Sequence, residues 1–258
     1  MKFPYQYSYC FSKTASLVKY HWLFLLIFIS IGHFFFGAYN LDFENLLSNF
    51  IGYDTTYNPT LWFLLPYIII FLISPYLLLC YNRFKIRTTT IIVFIFFVLS
   101  AVLLKYHAMQ IISIPDVIKV LLECFRLLFY FFIGASFARF GVPVIKLQGS
   151  NWIIGMLLLI LCIVRCMFDN AILSPFFCIF YLILIANFKY GNNISTFLKT
   201  MGSHSLNLWL IHAYFTYGFL DFMIYWTDYP IIIFLSTIIL SYLISIAFNY
   251  FIKLLKIG

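Results

Sequence analysis

Charge is what this chain lacks most. Only 9% of its 258 residues are Asp, Glu, Lys or Arg, against 64% hydrophobic, and the mean hydropathy is +1.02. A soluble fold of this length could not hide so much apolar surface, which leaves a lipid-facing exterior. Acidic residues are scarcest, eight against sixteen basic ones, for a formal charge of +8. That excess is no nucleic-acid footprint, because the lysines and arginines stand in short clusters beside apolar runs, where they set orientation and meet anionic lipid. No nucleic-acid partner is expected. CxxC pairs are missing too. The six cysteines (Cys10, Cys80, Cys124, Cys162, Cys166 and Cys178) read as small hydrophobes. Cys162 and Cys166 lie four apart on one helix face, but no histidine or carboxylate completes a tetrahedral set in a recognisable spacing, so no metal is expected. GxSxG, P-loop, GxGxxG, HExxH and H-x4-D signatures are all absent, and any chemistry must be built between helices. The first twenty residues lack the apolar core and cleavage site of a signal peptide, which leaves insertion to the first apolar run.

What is present is a succession of apolar runs. A helix needs about 20 such residues to cross the roughly 30 Å hydrocarbon core. About eight runs qualify: Trp22 to Gly37, Leu61 to Leu79, Thr88 to Leu104, Val120 to Ala138, Trp152 to Phe168, Ala171 to Phe188, Ser205 to Leu220 and Pro230 to Ile252. Asp169-Asn170 splits the fifth from the sixth as a helical hairpin. The expected fold is all-α, a polytopic transmembrane helix bundle of about eight spans forming a single integral-membrane domain over residues 1–258. Basic residues collect in alternate connections: Lys2, Lys13 and Lys19; Arg83, Lys85 and Arg87; Arg139 and Lys146; Lys189 and Lys199; Lys253 and Lys256. The positive-inside rule places these, and both termini, in the cytoplasm of a multi-pass protein of the cytoplasmic (inner) membrane. The opposite connections hold Asp42, Glu44, Asp54, Asp116, Asp169, Asp221 and Asp228, with Lys105 and Lys119 as the only bases there. The longest, Tyr39 to Thr60, reads as an outward loop too short for a domain.

Ionisable residues inside a span are expensive, so each is a candidate site. Glu123 and Arg126, three apart in the fourth run, read either as a self-neutralising pair or as an acceptor clamp facing a cavity. Arg165 and Asp169 repeat the arrangement, with Arg165 able to snorkel outward. His33 and His212 are candidates for a general base, with helix-packing hydrogen bonds as the alternative; His21 and His204 lie at predicted interfaces.

Two stretches go beyond generic hydrophobicity: Thr60-Leu61-Trp62-Phe63-Leu64 continuing to Ile73-Ser74-Pro75-Tyr76-Leu77, and Met201-Gly202-Ser203-His204-Ser205-Leu206-Asn207-Leu208-Trp209-Leu210-Ile211-His212. With Phe131-Phe132-Ile133-Gly134-Ala135-Ser136-Phe137-Ala138-Arg139 between them, they resemble the acyltransferase 3 family of integral membrane acyltransferases. The resemblance implies transfer of an acyl group, commonly acetyl from cytoplasmic acetyl-CoA, to a hydroxyl of a cell-envelope polysaccharide, lipopolysaccharide or other glycan. Acyl-CoA is then a co-substrate rather than a bound cofactor, and membrane lipid and the glycan acceptor are the partners. Trp62 and His212 become motif positions that line or brace the cavity, with Glu123 and Arg126 as further substrate contacts and the loop at Arg83, Lys85 and Arg87 suited to the acyl-CoA phosphates. The family's basic residue and histidine, spaced R/K-x10-H, have no counterpart: eleven residues before His21, His33, His107, His204 and His212 stand Cys10, Trp22, Phe96, Asn193 and Met201. The expectation is therefore a chain without the family's N-terminal catalytic helices, either a truncated or split enzyme completed by a separate chain or a member using another base. The alternatives are a small-solute or glycan transporter and a non-catalytic remnant.

Overall fold

The computed structural model of the chain describes residues 3–84, 86–143, 151–168 and 170–254. Lys2, Lys85, Lys146, Asp169 and Lys256 lie outside the described residues, and with them the Arg165–Asp169 pair. Among the described residues every regular element is helical: α1 Phe3–Phe36, α2 Phe43–Ile51, a 3-10 turn at Pro59–Leu61, α3 Leu64–Arg83, α4 Ile86–Ala108, α5 Asp116–Phe140, α6 Asn151–Met167, α7 Ser174–Asn187, α8 Asn192–Thr216, a second 3-10 turn at Asp221–Met223, and α9 Pro230–Leu254. The apolar runs fall mainly on helices, but not all of these are long: Ala171 to Phe188 is helical over Ser174–Asn187, and Ser205 to Leu220 runs past the end of α8 at Thr216. Four stretches are long and apolar enough to cross a membrane, Tyr7–Phe36, Pro59–Tyr81, Arg87–Ala108 and Pro230–Leu254. The α6–α7 hairpin is shorter. Its helices of 17 and 14 residues reach about 25 and 21 Å at 1.5 Å per residue, less than the hydrocarbon core.

The helices outrun the apolar runs where polar turns continue them. The first helix begins at Phe3, so Lys13 and Lys19 ride on it. Lys199 is likewise helical, because α8 begins at Asn192 and Thr196 and Thr200 return their hydroxyls to carbonyls four residues earlier. Within α3, Pro75 removes the amide that would bond the Phe71 carbonyl, and the Ser74 hydroxyl donates to that oxygen at 2.7 Å instead.

The chain divides into two compact units, Met1–Leu65 with Asn192–Gly258, and Pro66–Gly191. In the first, Phe28 of α1 stacks on Tyr214 of α8 with ring centroids 4.1 Å apart, and Phe24 on Phe248 of α9 at 3.9 Å. The connection after α1 departs from the simple loop expected from its composition. Asp42 caps α2 by accepting from Asn45, and Gly52, at φ +78°, ends it with Tyr53 N–H on the Ser48 carbonyl. Two of its last-turn carbonyls are also met from α1: His21 Nε2 donates to the Asn49 oxygen at 3.0 Å, shared with the Gly52 amide, and Trp22 Nε1 donates to the Phe50 oxygen at 2.8 Å. The near end of the connection is held by His33, which donates to the Tyr39 carbonyl at 2.7 Å. A Cβ on Gly32 would lie 2.6 Å from the Tyr39 ring, so glycine permits that approach. From His33 to His21 the connection follows α1 for about 18 Å. It then docks on α8, where buried Asn58 donates to the Leu210 carbonyl at 3.0 Å.

The second unit packs α4 on α5 around Tyr81, Val93, Phe97, Phe129 and Phe132. Tyr81 donates to Ser136 Oγ at 2.8 Å, and Ser136 donates on to the Phe132 carbonyl. Asn151 and Lys189 close the open end of the α6–α7 hairpin with two bonds.

Asn58→Ala removes the cross-link to α8 and the acceptor for the Thr60 amide and hydroxyl, so thermal unfolding followed by tryptophan fluorescence should show a loss of about 1–3 kcal/mol; an unchanged midpoint would contradict the docking. A pH effect comes from Tyr39, whose phenol burial pushes up to about 12. The unfolded chain gives up that proton near pH 10, so its stabilisation is intact below about pH 10 and is lost as pH rises towards the folded value. Tyr39→Phe should flatten this part of the alkaline stability curve, and an identical curve would show that Tyr39 is not buried.

Candidate functional site

Thr60–Leu64 and Met201–His212, two of the segments that carry the family resemblance, meet in the first unit. Leu61 and Leu210 are buried beside the Asn58–Leu210 bond, and Phe63 stacks on Trp209 with centroids 4.6 Å apart. Trp62 sits edge-on to Phe63 and stays half exposed. Residues about 150 apart in sequence thus form one wall.

Between α8 and α9 lies an open cavity of about 570 Å³, lined by Trp209, His212, Thr216, Phe234, Thr237 and Ser241 among apolar neighbours. His212 contacts the Trp209 and Leu208 carbonyl oxygens through Nδ1, at 2.8 and 3.3 Å. Carbonyls only accept, so Nδ1 carries the proton and Nε2 of the neutral ring keeps its lone pair. That is the tautomer a general base needs, held by backbone. Thr216 and Thr237 spend their hydroxyls on helix carbonyls. Ser241, 1% exposed, has its Oγ buried without a hydrogen-bond partner. An orphaned hydroxyl beside a base-competent imidazole is the cavity's polar feature.

One turn towards the α8 N-terminus, the helices are joined by a polar ladder. Asn207 donates to Ser245 Oγ at 2.9 Å and to Asn249 Oδ1 at 3.0 Å, and Ser245 contacts His204 Nδ1 at 2.8 Å. Asn249 completes the ring at 3.4 Å to the same nitrogen, which makes Nδ1 an acceptor and leaves the His204 proton on Nε2. Sequence reading singled out none of Asn207, Ser241, Ser245 and Asn249 as a polar site. The signal was available: Ser241, Ser245 and Asn249 recur every four residues on one face of an otherwise apolar helix.

His33, the other histidine proposed as a base, is engaged by Nδ1 with the Tyr39 carbonyl at the end of α1 and serves the connection there. Glu123 and Arg126 belong to the second unit. They form an ion pair, Nη1 lying 3.0 and 2.9 Å from the two carboxylate oxygens, and both face a cavity of about 1120 Å³. Within this unit Arg139 lies over the Tyr81 ring at 5.8 Å, at the opposite end of α5 from Asp116.

The model of the acyltransferase 3 family, described as an acyltransferase domain, matches residues 6–250 and so runs through both units. The chain belongs to this family of acyltransferases, and it is a membrane protein. No curated protein and no solved structure matches it.

The ladder and the orphaned hydroxyl respond oppositely to substitution. Ser245→Ala leaves Asn207 and His204 without a shared partner and should lower stability by about 1–2 kcal/mol, whereas Ser241→Ala removes an unmet hydrogen-bonding group and should be neutral or slightly stabilising. Thermal unfolding of both variants in the same detergent checks this; equal losses would contradict the ladder.

Proposed function

We propose that this membrane acyltransferase moves an acyl group, acetyl in the simplest case, from acyl-CoA to a hydroxyl of an envelope polysaccharide or lipopolysaccharide in the cytoplasmic (inner) membrane. The observation that carries the reading is the family match over residues 6–250. The cavity at His212 supports it with suitable chemistry: an apolar chamber for an acyl chain and an imidazole whose Nε2 is free to take a proton.

In this reading the acceptor hydroxyl gives its proton to His212 Nε2 as its oxygen attacks the thioester carbonyl carbon. A C–O bond forms, the C–S bond breaks, and the imidazolium returns the proton to the departing CoA thiolate. The Ser241 hydroxyl is the group in the chamber available to donate to the oxyanion. Trp62 and the Phe63–Trp209 stack brace the wall that carries His212. Arg83 and Arg87, flanking the α3–α4 turn, suit the phosphates of the donor.

Membranes holding the chain, supplied with radiolabelled acetyl-CoA and envelope glycan, should transfer label to the glycan. His212→Ala should reduce that transfer by about 10²- to 10⁴-fold while thermal unfolding stays cooperative. Transfer at the wild-type rate in His212→Ala would remove the histidine from the reaction, and flux of unmodified solute with no acyl transfer would point to a transporter.

A further inference from the structure

The α6–α7 hairpin is shorter than α4 and α5 of the same unit, and two contacts fix where it falls short. At the end where Asn151 and Lys189 bond, Asn187, the last residue of α7, donates to the Pro143 carbonyl just past α5, so these two helix ends are level. From there α7 rises for 14 residues and α5 for 25, about 21 and 37 Å. Phe176, in the first turn of α7, gives a similar offset against α4. Its ring lies 6.1 Å from that of Phe94, and from Phe94 to Ala108 the helix runs on for about 21 Å. The hairpin tip is therefore recessed by about 15–20 Å from the far ends of α4 and α5.

Arg87–Ala108 is long enough and apolar enough to cross a membrane, so a tip recessed that far from its end stands at membrane depth. The tip is not helical. Ala171 to Leu173 form a turn, and Asn170 and Ala171 are exposed. Non-helical backbone at that depth is tolerated only where it is buried in protein or lines water. This turn is not buried, so water must reach it. A cavity of about 1120 Å³ lies over the tip, walled by the projecting ends of α4 and α5. That exceeds the roughly 300–1,000 Å³ of a small-molecule pocket and suits a chain of linked rings better than one small solute. Sugar hydroxyls both give and take hydrogen bonds. The lining offers both, with the oxygens of Glu123 and Asn170 beside the nitrogens of Lys119 and Arg126, and the Tyr106 ring as an apolar surface.

We infer that the short hairpin leaves a water-filled vestibule in one leaflet, and that the vestibule admits the sugar portion of a glycan or glycolipid acceptor to the depth of Glu123 and Arg126. The vestibule stands on the helix lengths and the exposed turn; its assignment to the acceptor rests on the acyl-transfer reading. A hydrated sugar entering hydrocarbon would lose its hydrogen bonds without replacement, whereas the recess lets it approach the middle of the membrane through water. The vestibule opens at the end of α5 that bears Asp116, away from Arg87 and Arg139, the end that the positive-inside rule turns outward.

The test places Ser174→Cys or Leu121→Cys singly in the full chain in phosphatidylcholine nanodiscs and follows each thiol by mass spectrometry during reaction with a membrane-impermeant thiol reagent, used in a cationic and an anionic form. Ser174, at the start of α7, lines the cavity; Leu121 lies nearer the far end of α5 and is exposed outside the lining. A thiol reacts as its thiolate, which forms where water reaches it, so Ser174→Cys should label at least about tenfold faster than Leu121→Cys with both reagents, although it is the deeper of the two. Buried Cys10 stays slow while the chain is folded; should Ser174→Cys expose it, Ala171→Cys at the turn takes its place in the comparison. Labelling at the tip no faster than at Leu121→Cys would overturn the vestibule. Lipid-free envelope glycan from the cells that carry the protein, added without acyl donor, should then slow labelling of Ser174→Cys several-fold. An unchanged rate would overturn the acceptor and leave the vestibule standing. Neither measurement uses acyl transfer, so failure of that reading is seen separately.

Discussion

A chain surrounded by lipid cannot hand its unpaired polar groups to water, and this constraint organises the first unit. The buried groups there are His21, Asn49, Asn58, Asn207, Ser241 and Ser245. Of these, all but Ser241 have partners within the same unit; elsewhere in the unit the Thr14 hydroxyl of α1 is also buried without one. His21 and Trp22 donate to the last-turn carbonyls of α2, which lets a short helix lie along α1. Asn49 then anchors Thr56 and the Tyr57 amide, and Asn58 reaches the Leu210 carbonyl. Each bond is worth only about 1 kcal/mol net. Together they bring the Trp62 stretch against α8 and fix the wall that carries His212. Ser241 and Thr14 break the rule, and Ser241 does so in the lining of the α8–α9 cavity.

The second unit solves a different problem. Its helices are pinned at one end by Tyr81, Ser136 and Arg139 and by the Asn151–Lys189 bonds. At the other end charge is gathered instead of dispersed. The Glu123–Arg126 pair by itself reads as self-neutralising, as a lone i,i+3 pair usually is. Lys105, Lys119 and Arg165 line the same cavity.

Hydropathy located the long helices because lipid contact writes itself into every residue of a run. The Asp169-Asn170 break was legible for the same reason: it stands between two runs too long for one crossing, and Asn170 Oδ1 accepts from the Ile172 amide at that turn. Helix ends were not legible. Polar turns at Phe3 to Tyr20 and Asn192 to His204 carry no apolar signal, although they are helical. The fold of the Tyr39–Thr60 connection was hidden for another reason: its caps, Asp42 and Gly52, are ordinary loop residues until their partners on α1 are known. Of the site, the resemblance supplied His212 and Trp62. It could not show that His212 holds its Nδ1 proton on a carbonyl, or that Ser241 shares its chamber. That Lys105, Lys119, Arg126 and Arg165 line one cavity depends on how α4, α5 and α6 pack.

Everything proposed for His212 depends on the docking of the Trp62 stretch against α8, where Phe63 lies on Trp209. The most direct check is thiol cross-linking in membranes of a chain whose six native cysteines are replaced and which carries Phe63→Cys and Trp209→Cys. The account predicts rapid, nearly complete linkage by a short bifunctional reagent, seen as an intramolecular band shift that either single-cysteine chain lacks. Full labelling of both thiols without linkage would contradict it.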